Sequence, residues 1–152
     1  QGRTLFLSVL DLFSQSSKID IMIDIVNLDK DFKVDKKLLE SIVRKVLKGE
    51  KIKKNIEVAF VKKKEIKALN KKYRRKDKAT DVLSFGTIDD VLPQIVICIE
   101  IVKKNAKEDN IPFKQELSKV LIHGILHLMG MNHVKTKEAE EMLQKQNKYL
   151  SK

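Results

Sequence analysis

Cysteine is almost absent from this chain. The single Cys98 among 152 residues excludes a disulfide framework and a four-cysteine zinc site. It lies in the apolar run Gln94-Ile-Val-Ile-Cys-Ile99, where packing in a strand accounts for it. Aromatic residues are scarce too, with no tryptophan, two tyrosines and six phenylalanines. The 42% apolar content therefore describes an aliphatic core rather than a disordered chain. No apolar run is long enough to span a bilayer. There is no internal repeat and no linker, and the length suits one domain with a substantial core. Residues 1–18 contain the stretch Arg3-Thr-Leu-Phe-Leu-Ser-Val-Leu-Asp-Leu-Phe13. Asp11 interrupts it and Ser14-Gln-Ser-Ser17 makes a poor cleavage site, so it does not read as a secretory signal. These residues are expected to be a peripheral extension, or an artefact of cloning or of the assigned start, with residues 19–152 forming the single domain. A cytoplasmic location is expected.

What is abundant is positive charge. The net charge is +11, and residues 62–78 hold ten Lys/Arg against Glu65 and Asp77, a local +8. Such a segment reads either as a solvated lysine-rich surface or as an electrostatic footprint for a polyanion. Around it the chain alternates between two periodicities. Ile19, Ile21, Ile23 and Ile25 alternate with Asp20 and Asp24 as in a strand. Leu38, Leu39, Ile42, Val43 and Val46 have helical spacing after Asp35, with Gly49 as a stop. Residues 56–61, 81–85 and 94–99 read as further strands. A short helix in the cationic segment is expected to bury Ile66, Leu69 and Tyr73. Helices are also expected over 100–109, from Pro112 to about Met129, and over 136–150, the last burying Ala139, Met142, Leu143 and Leu150. This order predicts an α+β fold, a small mixed sheet of about four strands packed with helices.

All three histidines fall within His123-Gly-Ile-Leu-His127-Leu-Met-Gly130-Met-Asn-His133. His123 and His127 lie one turn apart, so both imidazoles leave one helix face. Gly130 can close the helix with a left-handed cap and let the chain return His133. Three neutral imidazoles from a long helix and the loop after it suit one divalent ion, zinc first, and leave a fourth position for water. Leu121, Ile122, Ile125, Leu126 and Leu128 provide apolar walls. The spacing equals that of the His-Glu-x-x-His-x-x-Gly-x-x-His metalloproteases, but their general-base glutamate is replaced by Gly124. The ligand frame is present and the peptidase's proton shuttle is not.

That histidine run follows Leu69-Asn70-x-x-Tyr73-Arg74-x-Lys76-Asp77-Lys78-x-Thr80-Asp81-Val-Leu-Ser84-Phe85, and the pair of motifs resembles the YbeY family of bacterial endoribonucleases. The resemblance extends over about residues 20–150. It implies an α+β fold and one zinc ion on His123, His127 and His133. It also implies a functional arginine at Arg74 in a basic groove for RNA, with His123 and Arg74 as catalytic residues. The implied activity is single-strand-specific endoribonuclease cleavage in ribosomal RNA maturation and small-subunit quality control. RNA and the small ribosomal subunit are the expected partners, and DNA and membranes are not. Lys71, Lys72, Arg75, Lys76 and Lys78 are available to phosphates, where they would add salt-dependent, sequence-independent affinity. The chain departs from the family pattern in having Gly130-Met-Asn-His133 for Gly-Tyr-Asp-His and Pro93-Gln94-Ile95 for Gly-Asp-Ile. The general base stays open between Asp81, equally a turn-capping carboxylate, and the metal-activated water. Glu116, two turns before His123, lies about 10 Å back along the axis. The same residues also suit two rivals: a metal hydrolase of a non-nucleic-acid substrate, and a ribosome-associated RNA-binding module with structural zinc.

Overall fold

The computed structural model describes residues 20–87, 92–130 and 136–151. The expectations for residues 1–18 and for His133 lie outside them. Four strands, β1 (Ile23–Asn27), β2 (Ile56–Val61), β3 (Val82–Phe85) and β4 (Gln94–Cys98), form one sheet in the order β1-β2-β4-β3. The first three in that order run parallel, and β3 pairs antiparallel with β4 as an edge strand. Five helices complete the described chain: α1 (Lys36–Gly49), α2 (Lys63–Arg74), α3 (Ile99–Glu108), α4 (Phe113–Leu128) and α5 (Thr136–Leu150). The α+β class and the mixed four-stranded sheet are as the sequence predicts. Among the described residues no helix is long and apolar enough to cross a membrane.

The strand side chains alternate between two apolar layers because successive residues point to opposite faces. Val58, Phe60, Ile95 and Ile97 face a large cluster with residues of α1, α4 and α5. Val61, Leu83, Val96 and Cys98 face a smaller one with Ile66 of α2. The histidine helix and the cationic helix therefore lie on opposite faces of one sheet. Cys98 is fully buried, and burial pushes its thiol pKa up, as befits a packing residue.

Two expected stripes are displaced. On α2 the buried positions are Ile66 and Asn70, while Tyr73 is 51% exposed. The Asn70 amide turns inward to donate to the Lys78 carbonyl at 2.9 Å, tying the following loop to the helix end. On α5 the buried residues are Met142, Gln146 and Tyr149, and Leu143 is 55% exposed. The i, i+4, i+7 stripe rotates the helix so that a polar residue, Gln146, faces α4.

Tyr149 also explains Gly49, where a Cβ would overlap the tyrosine ring. Beside it, Glu50 accepts from Lys145 Nζ at 2.8 Å and from Tyr149 Oη at 2.9 Å. Burial pushes the Glu50 pKa up, but the Lys145 and Tyr149 hydrogen bonds outweigh it and hold the carboxyl below its ordinary 4.5. Burial and the Glu50 bond push Tyr149 up from 10.0 to about 12. A depressed carboxyl stabilises the fold above its unfolded pKa and loses that contribution as pH falls. A raised phenol stabilises below its unfolded pKa and loses it as pH rises toward about 12. Chemical denaturation of Glu50→Gln should show about 1–3 kcal/mol lost at neutral pH. The difference from wild type should shrink once pH drops below the ordinary range of Glu50.

Candidate metal and RNA site

α4 begins after Pro112, which needs no intrahelical donor at that position, and ends at Met129 and Gly130. Gly130 has φ +82° and its N–H donates to the His127 carbonyl at 3.0 Å, the left-handed closure expected from the sequence. His123 and His127 point from one face and their Nε2 atoms lie 3.0 Å apart. That convergence is close enough for both nitrogens to ligate one divalent ion. The Nδ1 of His123 lies 3.1 Å from Oε1 of Gln146, which is 5% exposed. In the tautomer with its proton on Nδ1, His123 would donate to Gln146 and turn its Nε2 lone pair to the shared position. The described part of the site thus fits a divalent ion. Among the described residues no third metal-binding side chain joins the two imidazoles.

Gln146 was not legible in the sequence, since a glutamine on an amphipathic helix ordinarily faces water. Its signal is its place between Met142 and Tyr149 on the buried stripe. Gln146→Leu should weaken zinc binding about 10–100-fold, measured by competition with a chromophoric chelator. The helical circular dichroism should stay unchanged.

Gly124 has a role beyond lacking a carboxylate. A Cβ there would stand 2.8 Å from Cγ2 of Ile95, 3.2 Å from Cγ2 of Val82 and 3.3 Å from Oγ of Ser84. Position 124 faces the sheet at its closest approach, so a glutamate there would be driven into β4 rather than toward a metal. Gly124→Ala would gain helix propensity but meet a branched core side chain that cannot swing away. A net loss of about 1–3 kcal/mol is expected on thermal unfolding.

Ser84 joins this contact to the cationic segment. Its hydroxyl donates to the Gly124 carbonyl at 2.8 Å, and its own carbonyl accepts from Arg74 Nη2 at 2.7 Å. Arg74, the last residue of α2, thus reaches the edge strand and caps a carbonyl that β3 leaves open. Its guanidinium also lies 5.6 Å from the Phe85 ring centre, and that ring packs edge-on against Tyr73. The exposed Tyr73 therefore supports the arginine's surroundings rather than the core. Arg75 ends α2 in a left-handed conformation (φ 58°), and the chain folds back through Lys76 N–H to the Asn70 carbonyl. Among the charged candidates, Arg74 is the one hydrogen-bonded to the strand that touches the histidine helix. Lys71, Lys72, Arg75, Lys76 and Lys78 are exposed, and among the described residues none is ion-paired with a carboxylate.

Asp81 accepts from the Thr80 hydroxyl at 3.3 Å while its carbonyl receives the Cys98 N–H, the arrangement of a residue opening a strand. Glu116 is 4% exposed on α4, and its Oε2 has no hydrogen-bond partner among the described residues.

A family model described as Endoribonuclease YbeY matches residues 24–152. An Endoribonuclease YbeY of Thermotoga neapolitana is 43% identical over 119 residues, covering 76% of this chain and 80% of that protein. One from Vesicomyosocius okutanii is 40% identical over 141 residues, covering 86% and 95%. The solution structure of a Thermotoga maritima protein superposes with a TM-score of 0.62 at 40% identity, covering 85% of this chain and 87% of that one. Both sequence motifs and both faces of the sheet fall within the matched span, and the chain belongs to the Endoribonuclease YbeY family.

Proposed function

We propose that this protein is a metal-dependent, single-strand-specific endoribonuclease that acts in ribosomal RNA processing and small-subunit quality control in the cytoplasm. Family membership supports the endoribonuclease activity. The observation that carries the assignment of the site is the hydrogen-bonded path from Arg74 through Ser84 to Gly124, between two histidines whose Nε2 atoms converge. His123, His127 and His133 would hold one zinc ion. Bound there, the ion supplies Lewis acidity and an activated water near neutral pH.

The chain's own side chains do the rest. Gln146 holds His123 in the tautomer that presents Nε2. Arg74 is anchored through one nitrogen, so its remaining N–H groups can meet a phosphate without first being ordered. Phosphodiester hydrolysis gathers charge on the phosphoryl oxygens, and a pre-anchored guanidinium stabilises that charge more than the ground state. Lys71, Lys72, Arg75, Lys76 and Lys78 supply sequence-independent attraction for the RNA backbone. Position 124, closed against Ile95, removes the peptidase alternative at its general base.

The test is cleavage of labelled single-stranded and duplex ribosomal RNA fragments by a nuclease-free preparation, beside a panel of peptides and esters. The reading predicts zinc-restored cleavage of the single strands and no turnover of the panel. Faster turnover of a peptide or ester than of RNA would overturn it.

A further inference from the structure

At about 100° per residue, α4 presents three different flanks at its C-terminal end. Taking His123 as origin, His127 lies at about 40° and Gly124, against the sheet, at about 100°. Leu128, Ile125 and Met129 follow at about 140°, 200° and 240°, on the flank away from the histidines. That flank is one wall of a cavity of about 370 Å³. Ile52, Ile56 and Pro93 add to its apolar lining, Gly86 and Thr87 of the segment after β3 contribute to its wall, and Lys51, Lys53 and Lys54 also line it. Lys51, Lys53 and Lys54 are exposed, and among the described residues none is ion-paired with a carboxylate.

We propose that this cavity is a nucleotide subsite, taking one unpaired base of the RNA against its aliphatic floor while Lys53 and Lys54 hold the adjoining phosphate. The inference rests on the RNA reading above and adds to it a second contact outside the histidine and arginine motifs. Three observations carry it. The volume falls within the range of small-ligand sites, which are mostly apolar with a few charged groups. The charge is of one sign and complements a phosphodiester. The cavity lining also adjoins the candidate centre in the chain: Leu128 follows His127, and Gly86 follows Phe85, whose ring lies 5.6 Å from the Arg74 guanidinium. An RNA strand crossing the end of α4 would place a base on one flank and the reacting phosphate on the other. A base held this way must be unstacked, which gives a physical reason for preferring single strands.

The test is fluorescence anisotropy with the full chain in chelator. The probes are a labelled single-stranded RNA of about twelve nucleotides and its abasic counterpart of equal length. The subsite predicts about tenfold tighter binding of the base-bearing strand. Thr87→Trp, which fills the cavity from an exposed position, should erase that preference and leave abasic binding unchanged. Lys53→Ala/Lys54→Ala should lower the slope of log K against log salt by about 1.4, two phosphate contacts on a single strand. Equal binding of the two strands by wild type, or a preference that survives Thr87→Trp, would overturn the subsite. So would a poly-glutamate peptide binding as tightly as the base-bearing RNA. A chain that cleaves RNA but shows no base preference rejects the subsite alone. A chain that neither binds nor cleaves either strand rejects the RNA reading with it.

Discussion

His127→Ala is expected to lower RNA cleavage by about a thousandfold or more and to remove zinc from the purified chain. The reason is geometric. The Nε2 atoms of His123 and His127 are 3.0 Å apart, so either imidazole alone leaves half of the described ligand pair. The fold itself should survive, because His127 is only half-buried at the end of α4 and the core layers lie on other flanks of the helix. A ligand that binds only the folded state raises stability by mass action. Added zinc should therefore raise the melting temperature of wild type and leave that of His127→Ala unmoved. Cleavage by His127→Ala at the wild-type rate in a nuclease-free preparation would remove the metal from the account.

Arg74→Ala is expected to separate chemistry from metal binding. Zinc affinity should stay within about twofold of wild type, because among the described residues Arg74 is linked to α4 by hydrogen bonds through Ser84 rather than to either histidine. The turnover number should fall about 10²–10³-fold, the usual effect of losing one donor aimed at developing charge. Substrate binding should weaken far less, since the neighbouring cations still attract the backbone. Arg74→Lys should recover only part of the rate. A single ammonium cannot both reach the Ser84 carbonyl and present a planar pair of N–H groups to a phosphate. A fall confined to KM with an unchanged turnover number would make Arg74 a binding residue only.

How far the fold could be read in advance depended on periodicity. The strands, the histidine helix and its glycine closure follow from alternation, helical spacing and Gly130, and the structure has each of them. The failures came where polar residues took buried positions. Asn70 displaced Tyr73 because its amide is needed to hold the loop at Lys78. Gln146 displaced Leu143 because it meets an imidazole on another helix, a partner that α5 alone cannot reveal. Ser84 was visible only as one letter of a motif. Its use of both hydroxyl and carbonyl depends on two helices packed from opposite faces of the sheet, a long-range arrangement with no local signature. Gly124 was informative as an absent carboxylate, yet its steric role against Ile95 emerges only with the sheet in place.

The charge pattern was legible as a total and less so as a surface. The +8 segment occupies α2 and the loop after it, on the face of the sheet opposite the histidines, and Arg74 links the two through the edge strand. The lysines of the 51–54 turn carry less charge in sequence but sit beside the last turn of the histidine helix.

The central claim is that the protein cleaves RNA with His123, His127 and His133, which would hold one ion, and with Arg74, which would meet the phosphate. The most direct measurement is single-turnover cleavage of single-stranded ribosomal RNA by chelator-treated protein during a zinc titration. The account predicts no cleavage before zinc is added and a rate that saturates at about one equivalent per chain. It also predicts that His123→Ala and His127→Ala cannot be rescued by zinc. Cleavage at full rate by the metal-free chain, or rescue of either histidine variant by stoichiometric zinc, would contradict it.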